Sequence, residues 1–212
     1  MHVVVAGGHG RVALKLLRLL AERGDRASGL LRNPDHAADL EAVGAEAVVC
    51  DMEAEDDLAP FVEGADAVVF AAGAGPGSGP QRKRTVDLNA GVKLLEAARA
   101  TGIRRYVVLS AIDSGRPERW SEQMRPYYEA KTEADQRVTA AGLDHTIVRP
   151  GGLTDDPGTG HIRVGEDLGS GRIPRDDVAA TLAAVLATDS TIGKAFDVLE
   201  GDTPVEEAIR GL

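Results

Sequence analysis

Residues 6–13 read AGGHGRVA and directly follow the opening run MHVVV. Two glycine patterns fit this stretch: Gly7, Gly10 and Ala13 give G-x-x-G-x-x-A, and Gly8, Gly10 and Ala13 give G-x-G-x-x-A. Small residues at this spacing let a backbone turn tightly between a strand and a helix and approach a pyrophosphate closely. The stretch therefore predicts a strand, a glycine loop and a helix in this order. Two interpretations remain open, a phosphate-binding loop and a structural turn.

Short apolar runs alternate with helical patterns along the rest of the chain. The apolar runs predict strands at residues 3–6, 27–31, 47–50, 67–71, 106–110, 145–148 and 195–199. The helical patterns predict helices at residues 11–23, 34–43, 56–62, 82–100, 122–141 and 176–187. Regular alternation of this kind requires right-handed crossovers onto a parallel sheet. We therefore expect an α/β fold with a doubly wound, Rossmann-like parallel sheet, in one domain spanning residues 1–212.

Three local features refine this outline. In the first helix, Leu14, Leu17, Leu20 and Ala21 are expected to share the buried face. The glycine- and proline-rich segment at 73–80 predicts a mobile loop. Residues 151–172 carry no clear periodicity and are interpreted as an excursion from the alternating pattern.

Composition and charge exclude several classes of partner. The chain has 34 acidic and 24 basic side chains and a net charge of -10, which opposes binding to nucleic acid or to an anionic membrane. No apolar stretch approaches membrane-spanning length, and no basic leader precedes the first strand. The single cysteine, Cys50, excludes an internal disulfide and is expected to be a buried, inert thiol. We expect a cytoplasmic protein with a small-molecule substrate, either a monomer or a homodimer.

The end of the second strand favours one dinucleotide. NAD-specific sites of this kind place Asp or Glu there to accept from a ribose hydroxyl, whereas this chain has Arg32 and Asn33. A guanidinium suits a 2′-phosphate, so the sequence favours NADP(H), with NAD(H) as the lesser possibility. Arg11, on the first helical turn, is a candidate second phosphate contact. The alternative is that both arginines are solvated surface charges.

Other residues at the carboxyl ends of the strands complete the predicted cofactor site, because ligands of such sheets lie there. The predicted contacts from the loop and the first helical turn are Gly7, Gly8, His9, Gly10, Arg11 and Val12. Asp51 and Met52 are expected to flank the adenine. The small residues Ala71, Ala72 and Gly73 would let the cofactor lie against the sheet.

The sequence YYEAK at 127–131 suggests catalytic chemistry. On a helix, Tyr127 and Lys131 lie at i and i+4 and so share a face. A phenol is a poor proton donor or acceptor near neutral pH unless a cation lowers its pKa, and Lys131 would supply that cation. Ser110, at the end of the fifth strand, would hydrogen-bond a substrate carbonyl while Tyr127 donates the proton. The alternative is that this Y-x-x-x-K match is accidental.

The ordered set of motifs resembles the atypical short-chain dehydrogenase/reductase (SDR) family, in particular its small, single-domain, NAD(P)-binding or epimerase-like branch. The motifs that carry the resemblance are GGHGRVA, LLRNP, DM at 51, VVFAAGAG, VDLNAGVKLLEAARATGIRRYVVLS, YYEAK and LDHTIVRPGGLTDDPGTG. They extend over about residues 2–200. In this branch some members are flavin or biliverdin reductases, and others are NADPH-sensing regulators of the NmrA type.

The resemblance implies further site residues. The wider family has a catalytic Asn where this chain has Asp87, and an aspartate has no amide N–H to donate to a proton relay. Lys131 is expected to contact the cofactor in addition to supporting Tyr127. Residues of the segment after the sixth strand are expected to pass the nicotinamide. They are Arg149, Pro150, Gly151 and Gly152, with Leu153, a further predicted cofactor contact, and Thr154 nearby.

Two functional hypotheses follow. The first is an NADPH-dependent oxidoreductase acting on a small carbonyl, quinone or flavin-like acceptor. The second is a binding protein that senses NADPH and turns nothing over. Only about sixty residues follow Pro150, which leaves little room for the substrate domain that sugar-nucleotide epimerases carry. No metal is expected, because the five histidines lack ligand spacing.

Overall fold

The computed structural model describes residues 1–75 and 77–212. Its strands are β1 (His2–Ala6), β2 (Arg26–Leu31), β3 (Glu46–Val49), β4 (Ala67–Phe70), β5 (Arg105–Leu109), β6 (Asp144–Pro150), β7 (Gly152–Thr154), β8 (His161–Gly165), β9 (Arg172–Pro174), β10 (Lys194–Glu200) and β11 (Thr203–Pro204). Its α-helices are α1 (Arg11–Glu22), α2 (Ala37–Glu41), α3 (Pro80–Arg82), α4 (Gly91–Ala100), α5 (Arg125–Ala140), α6 (Arg175–Leu186) and α7 (Val205–Arg210). Pro76, part of the predicted mobile loop at 73–80, lies outside the described residues.

Nine strands form one sheet in the order β11-β8-β10-β6-β5-β4-β1-β2-β3. The strands from β10 to β3 in this order pair in parallel, while β8 and β11 are antiparallel to their neighbours. β7 and β9 form a separate parallel pair. The chain adds β2 and β3 on one side of β1 and then β4, β5 and β6 on the other. This is a doubly wound, Rossmann-like sheet, so the predicted fold class is confirmed.

Both faces of the sheet are covered, which explains why β1 is apolar without alternation. Val3, Val4 and Val5 are each at most 1% exposed. Val3 and Val5 pack in one core cluster with residues of α1 and α6, whereas Val4 packs in the opposite cluster with residues of α4. A parallel sheet with helices on both faces buries both sides of its central strands. The ligand-accessible part of such a sheet is the carboxyl edge of its strands.

Several predicted helices differ from those observed. The prediction at 56–62 is wrong, because only a 3-10 turn at Ala59–Phe61 forms there, with a proline inside it. The helix predicted at 122–141 begins at Arg125, where a proline occupies the first turn. The segment at 34–43 divides into a 3-10 turn (Pro34–His36) followed by α2.

Other differences concern packing and irregular structure. The buried face of α1 is centred on Leu16, Leu17 and Leu20, so Leu14 lies only at its margin. The helix expected at 82–100 consists of α3, a π-helical stretch (Lys83–Ala90) and α4. The excursion at 151–172 contains β7 and β8, and its β8 extends the main sheet.

Candidate functional site

The glycine loop lies where the ends of β1, β2 and β4 come together. Gly7 has a φ of +79°, and a Cβ there would lie 2.7 Å from the Cα of Ala72. A Cβ on Gly8 would lie 2.8 Å from the Cα of Gly29 in β2. These two glycines are therefore required by the packing of the loop on the sheet. The structural-turn interpretation explains them without a ligand.

Gly10 and the start of α1 point instead to a ligand. The N–H of Gly10 donates to the Gly7 carbonyl at 2.7 Å, which curls the loop onto the first turn of α1. No side chain caps α1 at Gly10, and its first turn has no acidic residue. Helix N-terminal N–H groups without such partners attract anions. The loop thus serves both packing and the presentation of a helix N-terminus.

A cleft of about 350 Å³ opens at this edge of the sheet, a volume in the usual range for small-molecule sites. It brings together ten residues predicted to contact a cofactor: Gly7, His9, Gly10, Arg32, Asn33, Asp51, Met52, Ala71, Ala72 and Gly73. It also includes residues that the sequence reasoning missed: Leu30, Leu31, His36, Cys50, Glu53, Arg82, Val86 and Ala90. These residues fit the adenosine half of a dinucleotide, since small or apolar side chains line the floor and basic ones lie at the rim.

Predicted cofactor residues outside this cleft are Gly8, Arg11, Val12, Lys131, Pro150, Gly151, Gly152 and Leu153. Arg11 forms an ion pair with Asp155, a residue that also accepts from Arg175 at 2.8 Å. Val12 is buried in the core beneath the loop. Arg11 is therefore already paired on the surface.

The segment after β6 is positioned by the sheet. The N–H of Ser110 donates to the Val148 carbonyl at 2.8 Å, and the N–H of Ile112 donates to the Pro150 carbonyl at 2.9 Å. Ser110 and Pro150 therefore lie at adjoining strand ends on the carboxyl edge. A Cβ on Gly151 would lie 2.6 Å from the Gly171 carbonyl oxygen, so internal packing alone requires a glycine there.

Glu53 is the centre of a cluster at the rim of the cleft. Its carboxylate lies 3.3 Å from Arg32 Nη1 and 3.0 Å from Arg82 Nη2. It also accepts from the Thr85 hydroxyl at 2.7 Å. Arg32 is thus in the cleft, as predicted, but it shares an acidic partner with a second arginine from α3. No sequence signal links these residues, because their spacing in the chain is unrelated to any local structure.

A second cluster of polar side chains is formed around Tyr127 and Lys131 of α5. Lys131 is 4% exposed and Asp87 is 1% exposed, and Lys131 Nζ lies 3.3 Å from Asp87 Oδ1. Lys131 also donates to the Leu109 carbonyl at 3.2 Å. The centroid of the Tyr127 ring lies 6.0 Å from the same Nζ. The structure therefore brings together the predicted Tyr127, Lys131 and Asp87, and it pairs the lysine with the aspartate.

The electrostatics of this cluster differ from the sequence-based expectation. Burial raises the pKa of Tyr127, and the nearby charge of Lys131 lowers it only partly because Asp87 and Asp135 act in the opposite direction. Burial alone would lower the pKa of Lys131, but Tyr127 and the two aspartates outweigh it, and the net pKa is raised. Lys131 does lower the pKa of Tyr127, as expected, but burial outweighs this effect and the net pKa is raised. Tyr127 is a neutral phenol at neutral pH, able to donate a proton.

Asp135 is a member of this cluster that the sequence reasoning missed. It lies four residues after Lys131 on α5, and Arg149 contacts its Oδ2 at 3.0 Å through Nε and at 2.9 Å through Nη2. Burial raises the pKa of Asp135, although Arg149, Ser110 and Lys131 oppose this shift. The i, i+4, i+8 spacing of Tyr127, Lys131 and Asp135 was a signal that could have identified it. Ser110 itself is buried, with its hydroxyl 3.3 Å from that of Ser114.

The side chains of His9 and Trp120 have partners within the protein. His9 Nε2 lies 2.8 Å from Asp39, and the His9 ring stacks on His36 at a centroid distance of 3.8 Å. Trp120 donates from its indole to the Asp113 carbonyl at 2.8 Å. In the described parts of the chain, no group of three His, Cys, Asp or Glu residues is arranged to hold a metal. None of the helices described is long and apolar enough to cross a membrane.

Comparison with known proteins defines the class. A family model described as NAD(P)H-binding matches residues 7–189. The Bacillus subtilis protein named uncharacterized sugar epimerase YhfK is 41% identical over 214 residues, covering 100% of both chains. Among solved structures, a Bacillus halodurans protein named for NAD-dependent epimerase/dehydratase activity is 36% identical with a TM-score of 0.96, covering 100% of both chains. The oxidoreductase ylbE from Lactococcus lactis is 30% identical with a TM-score of 0.89, covering 100% of this chain and 96% of that one.

The fold, the cleft and these matches define an NAD(P)-binding protein of the oxidoreductase and epimerase-like type. The chain belongs to the NAD(P)H-binding family that the model describes, and it has the single-domain organisation of an atypical SDR. The resemblance identified from the sequence motifs is confirmed.

Proposed function

We propose that this protein is an NADP(H)-dependent oxidoreductase that reduces a small carbonyl, quinone or flavin-like acceptor. The observation that carries the choice of NADP(H) is Arg32, which lines the cleft at the end of β2 and is joined there by Arg82. Guanidinium groups suit the 2′-phosphate that distinguishes NADP(H) from NAD(H). The loop at Gly7 and Gly10 and the N-terminus of α1 would hold the pyrophosphate.

The bound dinucleotide would supply hydride, and the protein residues would manage the proton. Tyr127 is the proposed proton donor, because burial keeps its phenol protonated. Lys131 holds its charge next to the phenol and would stabilise the phenolate left after proton donation. Its pairing with Asp87 would weaken this stabilisation, because the carboxylate offsets part of the positive charge. Ser110, at the end of β5, is the proposed hydrogen-bond donor to the acceptor carbonyl.

Direct binding measurements test the cofactor. We expect NADPH to bind more tightly than NADH by isothermal titration, and Arg32→Ala to reduce this preference by about tenfold or more, since hydrogen bonds to charged groups contribute about 1.5–3 kcal/mol. Equal affinity of the wild-type protein for the two dinucleotides would refute the choice of NADP(H).

Turnover tests the reaction. NADPH oxidation would be followed with a panel of quinones, flavins and small aldehydes, with Tyr127→Phe as the matched variant. General acid catalysis contributes typically 10²–10⁴-fold, so we expect Tyr127→Phe to lower kcat by about that factor with a carbonyl substrate. An unchanged kcat would remove Tyr127 as the donor and favour a flavin-type acceptor that takes its proton from solvent.

The second candidate is a protein that senses NADPH without turnover. It is favoured by the Asp87–Lys131 pair, which offsets the charge that would otherwise assist Tyr127. This candidate predicts tight NADPH binding with no oxidation by any acceptor in the panel. It also predicts that Tyr127→Phe leaves NADPH binding unchanged.

A further inference from the structure

Two arginines that are fifty positions apart in the chain meet on one carboxylate at the rim of the cleft. Arg32 follows β2, Arg82 ends α3, and both contact Oε2 of Glu53, at 3.3 and 3.0 Å. The other oxygen, Oε1, accepts from Thr85 at 2.7 Å. An acidic group held by two guanidiniums and a hydroxyl has the surroundings typical of a bound phosphate. The cluster therefore has the composition of an anion subsite, with a side chain of the protein in the place of the anion.

The backbone that carries Glu53 is fixed. The N–H of Glu53 donates to Asp51 Oδ1 at 3.0 Å, closing a turn at the end of β3. Lys93 Nζ donates to the carbonyls of Met52, Glu53 and Glu55 at 3.0, 3.2 and 2.5 Å. The turn is thus anchored to α4, and only the side chain of Glu53 is free to leave the arginines.

The side chains of this cluster remain accessible to a ligand. The exposed fractions are 57% for Arg32, 44% for Arg82 and 26% for Glu53. Ion pairs at such exposure are weak, because water screens the charges and the side chains lose freedom on pairing. A phosphate carrying a charge of about −1.5 to −2 would compete effectively with one carboxylate for the same two guanidiniums.

We propose that Arg82 is the second arginine of the 2′-phosphate subsite and that Glu53 occupies this subsite as an internal competitor, which reduces the preference for NADPH over NADH. The proposal rests on the proposed function, namely binding of NADP(H) in this cleft. With NADPH, the phosphate takes the two arginines and the Glu53 side chain swings away. With NADH, Glu53 stays and its carboxylate accepts from the ribose hydroxyls. The subsite thus offers the two arginines to the phosphate of NADPH and the Glu53 carboxylate to the ribose of NADH.

The proposal gives opposite effects for two substitutions. Arg82→Ala removes one charge-assisted contact to the phosphate, and the Kd for NADPH should rise about ten- to hundredfold while the Kd for NADH changes little. Glu53→Gln removes the competitor, so the Kd for NADPH should fall several-fold and the Kd for NADH should rise. The ratio of the Kd for NADPH to the Kd for NADH therefore rises in Arg82→Ala and falls in Glu53→Gln.

The matched control is Arg84→Ala. Arg84 lies two residues from Arg82 in the π-helical stretch, is 59% exposed, and pairs with Glu133 at 3.7 Å, away from the cleft. It reproduces the loss of one positive charge without touching the subsite. Adenosine 2′,5′-bisphosphate and AMP serve as additional probes, because they differ only in the 2′-phosphate. Circular dichroism of each variant checks that the fold is retained.

Isothermal titration of NADPH, NADH and the two adenosine probes into all four proteins separates the outcomes. A wild-type protein that binds neither dinucleotide would refute the proposed function and this inference together. A wild-type protein that binds NADPH, with Arg82→Ala no weaker than Arg84→Ala, would refute only the role of Arg82. A Glu53→Gln variant with an unchanged ratio of constants would refute the competition. The expected result is a loss of preference for the bisphosphate over AMP in Arg82→Ala alone.

Discussion

The buried pair of Asp87 and Lys131 gives a quantitative prediction. Their charged atoms are 3.3 Å apart, and at an effective dielectric constant of about 20 two opposite unit charges at this distance attract by about 5 kcal/mol. Removing one partner leaves the other buried without its nearest counter-charge, which costs about 3–5 kcal/mol. We therefore expect Asp87→Asn and Lys131→Met each to lower the free energy of unfolding by this amount. Asn and Met keep most of the side-chain volume, so the effect isolates the charge.

The double variant, Asp87→Asn with Lys131→Met, tests whether the two losses have a common origin. It removes both charges and should cost clearly less than the sum, with an interaction energy of about 3 kcal/mol. Urea unfolding of the four proteins measures this cycle. The exposed pair Arg104 and Asp144, in contact at 2.9 Å, is the control and should give a much smaller interaction energy. Costs that add to within about 0.5 kcal/mol would refute the reasoning.

Three further predictions concern stability and reactivity. Gly7→Ala should lower the free energy of unfolding in urea by well over the roughly 1–2 kcal/mol that a left-handed residue costs, because its Cβ would lie 2.7 Å from the backbone after β4. The control is Gly24→Ala, with φ +86° and no neighbour within 4 Å, which should cost only that amount. Equal losses in the two variants would contradict the close packing of Gly7. Burial raises the pKa of the Cys50 thiol to about 11. A thiol reagent at pH 8 should therefore modify the folded protein far more slowly than the protein unfolded in urea. Similar rates would contradict the burial of this thiol. Arg119 lowers the pKa of Asp167 to about 2, so the stability from this pair is present above about pH 4 and is lost as the pH falls towards 2. Arg119→Ala should therefore reduce the pH dependence of the unfolding free energy over this window. An unchanged slope would count against the pair.

The sequence predicted those features that depend on local pattern. The strand, glycine loop and helix at the N-terminus follow from residues that are neighbours in the chain, and the alternation of strands and helices follows from periodicity. Gly7 and Arg32 directly follow β1 and β2, and Asp51 lies two residues after β3. All three line the cleft because the carboxyl ends of parallel strands converge there. These are positions that topology determines once the strands are identified.

The rest depended on contacts between distant segments. Glu53 and Arg82 meet because the turn after β3 and the start of the helix after β4 lie on the same rim, and no spacing rule relates them. The net pKa of Tyr127 depends on the burial of its ring and on the charge balance between Lys131 and two aspartates, and the Y-x-x-x-K motif contains neither aspartate. A motif such as Y-x-x-x-K identifies the pair but not the field around it.

The π-helical stretch at Lys83–Ala90 has a consequence for any redesign of this protein. It is preceded by Arg82 at the adenosine end of the cleft and contains Asp87, which reaches Lys131 on the other side. Each residue of a helix changes the direction of the side chains that follow it, so deleting one residue here would rotate one of these side chains away while leaving the other in place. The length of this short segment, rather than its composition, sets the orientation of Arg82 at the cleft relative to Asp87 at the buried lysine.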